Sequence, residues 1–190
     1  MVISRLLICG VGAATVVLAT NIFLRQRRRK AAARLAKHVK LELLPIERGP
    51  VICMSPATST VTFFFGSAAT VEHLFLQRVA DIVAANPWLT SVLEHDPESG
   101  VMAAYYIAGT ASTSCFSVRH DIKLSRSDSY ATIVGHLSSA LCKTSNESVG
   151  TGAPLWQVCL IPDATEPESR FALVVSANHS LLDGHGFYKL

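Results

Sequence analysis

From Leu6 to Leu24 the chain runs nineteen residues without a charge, and Arg25, Arg27, Arg28, Arg29 and Lys30 follow at once. As a helix that run would be about 28 Å long, close to the hydrocarbon thickness of a bilayer. It reads as a membrane span. The order of charges argues against a cleaved secretory leader, which carries its basic residues before the apolar stretch; only Arg5 precedes this one. A basic flank stays on the cytoplasmic side, so the rest of the chain is expected to face the cytosol from a single-pass anchor. Gly10, Gly12, Thr15, Thr20 and Asn21 dilute the span. The endoplasmic reticulum is the favoured membrane, with the mitochondrial outer membrane as alternative. Residues 30–40 are expected to continue as a basic juxtamembrane helix, serving either attraction to anionic lipid or simple topology.

The anchor divides the charge unevenly. Residues 1–40 hold nine Lys and Arg and no acid, whereas residues 41–190 hold eight basic and fourteen acidic residues, a net of −6. The expected organisation is therefore an anchor with its basic segment over 1–40 and one folded body over 41–190. At 49% hydrophobic and 16% charged, the composition is that of a packed chain rather than a disordered one. An acidic body makes a poor surface for phosphate backbones, so nucleic acid is not an expected partner. The five cysteines, Cys9, Cys53, Cys115, Cys142 and Cys159, are odd in number and lack a CxxC pair. They are expected to be reduced, with no disulfide framework and no zinc site.

Along the body, Val61–Phe65 is β-branched and aromatic and predicts a buried strand. A helix follows, with Thr70 as candidate N-cap and Val71, Leu74, Phe75, Val79, Ile82 and Val83 at helical spacing; Asn86-Pro87 ends it. Stretches 88–94 and 101–107 predict a hairpin, and 115–118 a short strand. A second helix is expected from Ser127 or Asp128, with Tyr130, Ile133, Val134, Leu137 and Leu141 on its apolar face. Residues 145–152 read as a polar loop. Trp156–Ile161 and Phe171–Asn178 predict two strands, with Phe171, Leu173, Val175 and Ala177 on one face.

His179 falls where the last strand stops, and Asp183-Gly184 lies four residues on. A strand end is a rigid support for a reactive side chain, and imidazole exchanges a proton near neutral pH. Ser180 has no GxSxG elbow and is not expected to be a hydrolase nucleophile. His120-Asp121 alone is too small a set for a metal, and no metal site is expected.

Asn178-His179-Ser180-Leu181-Leu182-Asp183-Gly184 resembles the (H)HxxxDG signature of the coenzyme A-dependent acyltransferase superfamily. That group includes chloramphenicol acetyltransferase, peptide-synthetase condensation domains, alcohol acyltransferases and wax ester synthases. Two further stretches resemble it: the helix end at Ala84-Ala85-Asn86-Pro87-Trp88-Leu89, and Pro154-Leu155-Trp156 with the strand from Arg170. The resemblance implies an α/β (α+β) body: one chloramphenicol acetyltransferase-like N-terminal lobe, a mixed sheet with helices packed on it, preceded here by the transmembrane helix. It implies His179 as general base, Asp183 as a structural residue supporting the loop, Gly184 at the turn, and Asn178 and Ser180 as candidates for lining the site. No permanently bound cofactor is implied; acyl-coenzyme A is the co-substrate and a small-molecule or lipid alcohol the acceptor. An amine acceptor, or a catalytically inactive lobe used for binding or assembly, stays open. The family's site lies between two lobes, and this chain stops six residues after Gly184. A second lobe or a partner subunit is thus expected to complete it.

Overall fold

The computed structural model describes residues 26, 29–30, 32–109, 113–182 and 186. The expected span Leu6–Leu24, and Asp183 and Gly184 of the motif, lie outside the described residues. Among the described residues no helix is long and apolar enough to cross a membrane. Two compact units are present: Met1–Lys37 with Asp96–Gly100, and His38–His95 with Val101–Leu190. In the first, Asp96 closes its own turn, its Oδ1 accepting from the amides of Glu98 and Ser99 at 3.1 and 2.7 Å.

The second unit carries two sheets. Strands β1 (Val39–Leu41), β3 (Val92–His95) and β4 (Met102–Tyr106) form a small antiparallel sheet in the order β1-β4-β3. Strands β2 (Thr58–Phe65), β5 (Phe116–Val118), β6 (Trp156–Pro162) and β7 (Arg170–Ala177) form a four-stranded sheet in the order β2-β7-β6-β5. Its β5–β6 pair is parallel and its other pairs are antiparallel, so it is the mixed sheet expected. The helices are α1 (Pro50–Met54), α2 (Ala68–Ala85), α3 (Tyr130–Leu137) and α4 (Ser145–Ser148).

Side chains alternate across the larger sheet, and each face meets a helix. On one face Val79 and Val83 of α2 pack with Trp156, Val158 and Ala177, while Val71 and Phe75 pack with Leu160 and Phe171. On the other, Ile133, Leu137 and Ala140 pack with Cys159, Ile161, Ala172 and Val174. The result is a helix–sheet–helix sandwich. Strands covered on both sides read as continuous apolar runs, which explains why β6 and β7 lack a polar face: the odd positions of β7 share one face as expected, and Ala172 and Val174 are buried on the other.

Several expectations are corrected. Residues 30–40 do not form one helix: the helical stretch ends at Leu35, and Val39–Leu41 pairs with Ala104–Tyr106. A ladder partner some sixty-five residues away supplies the backbone hydrogen bonds that a helix would have made internally, and the short alternation Val39-Lys40-Leu41-Glu42-Leu43 is its one local sign. Helix α2 starts after Ser67, not at Thr70; Gly66, at φ 114°, turns the chain from β2 into it, a backbone conformation that disfavours any side chain. Leu74 is 67% exposed, because the packed ridge steps through 71, 75, 79 and 83 and leaves it on the flank. Helix α3 starts later, at Tyr130, capped by Ser129, whose Oγ accepts from the Thr132 amide. Tyr130 and Val134 point outward at 83% and 45% exposure. The stretch 88–91 begins as a 3-10 turn (Pro87–Thr90) before β3, and Ser145–Ser148 is a helical turn rather than a loop, held by a Thr144/Glu147 capping box.

The β6–β7 connection is tied by Asp163, 2% exposed. Its Oδ1 accepts from Thr165 N, Thr165 Oγ1 and Glu166 N at 2.8, 2.7 and 3.0 Å, and its Oδ2 from Arg126 N at 3.2 Å. Burial alone would raise the carboxyl, but these hydrogen bonds outweigh it and hold it at about 2. A depressed folded-state value means stability that is complete above the ordinary carboxylate range and lost as pH falls through about 2. Asp163→Ala should therefore cost about 2 kcal/mol in urea unfolding at neutral pH. The gap from wild type should close as pH drops from the ordinary aspartate value of about 3.9 towards about 2; a gap that stays constant across that window would refute the assignment.

Candidate functional site

Strand β7 is the centre of the site. Its last residue, Ala177, pairs with Thr58 of β2 on one side and Trp156 of β6 on the other. The chain then turns sharply: Asn178 N donates to Leu155 O at 2.7 Å, and the amides of Leu181 and Leu182 return to Asn178 O at 3.0 and 3.1 Å. Leu182 drops into the core beside α2, and Leu181 packs between that core and the smaller sheet's cluster of Leu43, Leu93, Ala104 and Leu155. Two apolar anchors thus pin the loop after His179.

Polar groups pin it further. Asn178 and Ser180 are each 1% exposed. Asn178 Nδ2 donates to Lys143 O at 2.8 Å, and its Oδ1 accepts from Ser145 Oγ at 2.8 Å and Ser180 N at 2.9 Å. Ser180 Oγ donates to Glu47 O at 2.6 Å and lies 2.7 Å from Ser145 Oγ. These side chains face inward and knit together the loop, the start of α4 and the segment before α1; they do not present polar atoms to an open surface. One strand residue back, the buried Ser176 Oγ accepts from Ser59 Oγ and from Cys142 N, each at 2.9 Å.

His179 is different. It is half-buried, and its Nε2 lies 3.2 Å from Thr58 Oγ1 at the start of β2. Of the residues named from the sequence, the structure therefore places His179 on a rigid edge with Asn178 and Ser180 as its inward supports. Asp183 and Gly184 fall outside the described residues. A cleft of about 410 Å³ opens beside the loop, lined by Arg78, Asp81, Ile82, Ala85, Asn86, Trp88, Leu182 and Gly186. Among the described residues its lining mixes apolar side chains with Arg78 and Asp81, which suits a ligand with both apolar and polar parts.

Other reactive candidates are accounted for. Asp121 is held at about 2 by hydrogen bonds from Arg119, at 2.8 and 2.7 Å, so the His120-Asp121 pair is built around a surface ion pair. Cys53, Cys115, Cys142 and Cys159 are free and buried. Burial pushes the Cys142 thiol up to about 12, and those of Cys115 and Cys159 upward as well, which leaves them poor nucleophiles. Among the described residues no group of three or more His, Cys, Asp or Glu is placed to hold a metal ion.

Thr58, Ser145 and the Glu47 carbonyl were not foreseen from sequence. The capping-box pattern Thr144-x-x-Glu147 was a legible sign of α4, and the β-branched hydroxyl run before Val61 was a sign that β2 starts early. Neither says what these groups touch.

No family model and no curated protein sequence matches the chain. Solved structures do. The TRI3 trichothecene 15-O-acetyltransferase of Fusarium sporotrichioides matches with a TM-score of 0.51 and 11% identity over 78% of this chain and 32% of that one. TRI101 of F. graminearum, solved with ethyl coenzyme A, gives 0.49 and 14% over 75% and 35%. A wax ester synthase/diacylglycerol acyltransferase from Marinobacter aquaeolei VT8 gives 0.45 and 15% over 78% and 37%. The likeness to the first is one of fold, and this chain spans about a third of its length.

Removing Asn178 tests the loop's support. Asn178→Ala strips partners from Ser145 Oγ and Ser180 N in a buried setting and from Lys143 O in a part-buried one. It should lower unfolding free energy by about 3 kcal/mol in urea titration. A loss within about 0.5 kcal/mol, the usual range of a surface change, would show that the network does not hold the loop.

Proposed function

We propose that this chain is the histidine-bearing lobe of a membrane-anchored acyltransferase that moves an acyl group from acyl-coenzyme A to an alcohol. The observation that carries the reading is the half-exposed His179 ring at the end of the central strand, in a fold like that of an O-acetyltransferase.

In this reading His179 is the general base. The acceptor hydroxyl gives its proton to the imidazole as its oxygen attacks the thioester carbonyl. The new C–O bond forms, the C–S bond breaks, and the imidazolium returns the proton to the leaving thiolate. The acceptor is itself the nucleophile, so no acyl-enzyme forms. What this chain supplies is placement: a base fixed by a strand paired on both sides contributes through orientation as well as proton transfer. Asp183 and Gly184 are assigned to shaping the loop beyond it. A second lobe or partner subunit closes the substrate path, in keeping with the fraction of the similar acetyltransferase that this chain spans. That same fraction supports a second reading, in which the lobe binds or assembles without turnover. An amine acceptor is a variant of the first.

The uncharged run Leu6–Leu24 is assigned to a single-pass anchor that leaves the body facing the cytosol, at the endoplasmic reticulum. Just after the basic arm, Leu44, Ile46, Val51 and Met54 are 60–76% exposed, an apolar surface that suits a body held near a bilayer and favours a lipophilic alcohol or a long-chain donor.

Thiol release from short- and long-chain acyl-coenzyme A, with a panel of alcohols and amines, tests the chemistry. His179→Ala should lower the rate roughly a hundredfold or more; equal rates in mutant and wild type would sink the base assignment. Alkaline carbonate extraction tests the anchor. The full chain should stay in the membrane pellet and a chain lacking residues 1–30 should be released, whereas a full chain that is released rules the span out.

A further inference from the structure

We propose that Thr58 is a positioning residue for the His179 imidazole, and that it holds the ring through both halves of the proton cycle. The proposal deepens the general-base reading and rests on it.

Thr58 opens strand β2, directly opposite Ala177 of β7 in an antiparallel register that continues for eight residue pairs to Phe65 and Arg170. Its backbone is therefore fixed relative to the strand that delivers the histidine. The neighbouring Ser59 reaches across the same pair of strands and donates to Ser176 Oγ at 2.9 Å. Adjacent hydroxyls of β2 thus secure the end of β7 on its two faces: Ser59 on the buried Ser176, Thr58 on the half-buried His179 at 3.2 Å. Among the described residues, the Thr58 hydroxyl is the hydrogen-bond partner of that ring.

The chemistry of the partner matters. A hydroxyl donates to an unprotonated Nε2 and accepts from Nε2–H. With Nε2 engaged by Thr58, the general-base reading puts the catalytic proton on the other ring nitrogen, so Nε2–H donates to Thr58 Oγ1 in the neutral and the cationic ring alike and the ring keeps one orientation throughout. The β-branched side chain adds stiffness at χ1, and the hydroxyl gains from the bond most when the ring is cationic, since charge-assisted bonds are the stronger ones. The loss should therefore fall on turnover rather than on substrate affinity.

The test uses the whole protein, in detergent micelles, labelled with [15N]histidine, and the variants Thr58→Val and Thr58→Ser. Valine keeps the shape and strand preference of threonine without the hydroxyl; serine restores the hydroxyl. The ring signals of His179 are assigned by their loss in His179→Gln. The expected result is that Thr58→Val shifts the His179 ring 15N resonances, leaves those of the other histidines in place and lowers kcat about tenfold with little change in KM, while Thr58→Ser returns both towards wild type. His179 ring resonances unchanged in Thr58→Val would overturn the proposal, as would a kcat unchanged by that substitution, or an equal loss in Thr58→Ser. If His179→Gln turned over as fast as wild type, the general-base reading would fall instead; the ring resonances would still decide whether Thr58 holds the imidazole.

Discussion

The double pairing of β7 is the constraint on which the rest of the structure depends. Every residue from Arg170 to Ala177 faces a partner on β2, and Phe171 to Ala177 also face partners on β6. Both faces of the strand are covered, by α2 on one side and α3 on the other. A strand satisfied in its hydrogen bonds on both edges and buried on both faces has little freedom to shift, since a slip of one residue would exchange the two apolar faces and break both ladders at once. Whatever emerges at its end is therefore placed by the whole sheet. His179 emerges there.

The turn after β7 converts that rigidity into a presented side chain. It alternates inward and outward use: Asn178 and Ser180 are consumed by buried hydrogen bonds, Leu181 and Leu182 by apolar packing, and the imidazole between them stays half-exposed. Buried polar groups are worth keeping only when their bonds are all made. Here the partners come from three separate segments, around Glu47, Lys143–Ser145 and Ser180 itself. The loop is thus a junction at which distant parts of the fold must all be in place before the His179 ring is positioned.

Much of the lobe was legible in the residues. The apolar runs 156–161 and 171–178 marked the two central strands to within a residue, because strands buried on both faces need little else. The Asn86-Pro87 pair ended α2 where expected, because a proline ring cannot continue the helix. Less legible were the features with remote partners. The exposed β1 has only a short alternation, Val39-Lys40-Leu41, too brief to outweigh the basic run before it, and the edge of β4 makes it a strand. The helix faces misled at Leu74, Tyr130 and Val134 because periodicity shows which residues share a face, whereas the width of the face is set by how far the sheet extends beneath it.

The sequence by itself determined that an apolar span and a basic arm precede an acidic body of strands and helices, and that a histidine with a following Asp-Gly ends its last strand. Those properties are local: they depend on runs, spacing and charge within a few residues. Only the tertiary structure decided that Asn178 and Ser180 turn inward, that α4 anchors the loop, and that the Nε2 edge of His179 meets the hydroxyl of Thr58, 121 positions away. Hydrogen bonds between residues so far apart are set by strand order and register, and those follow from the packing of the whole sheet between its helices.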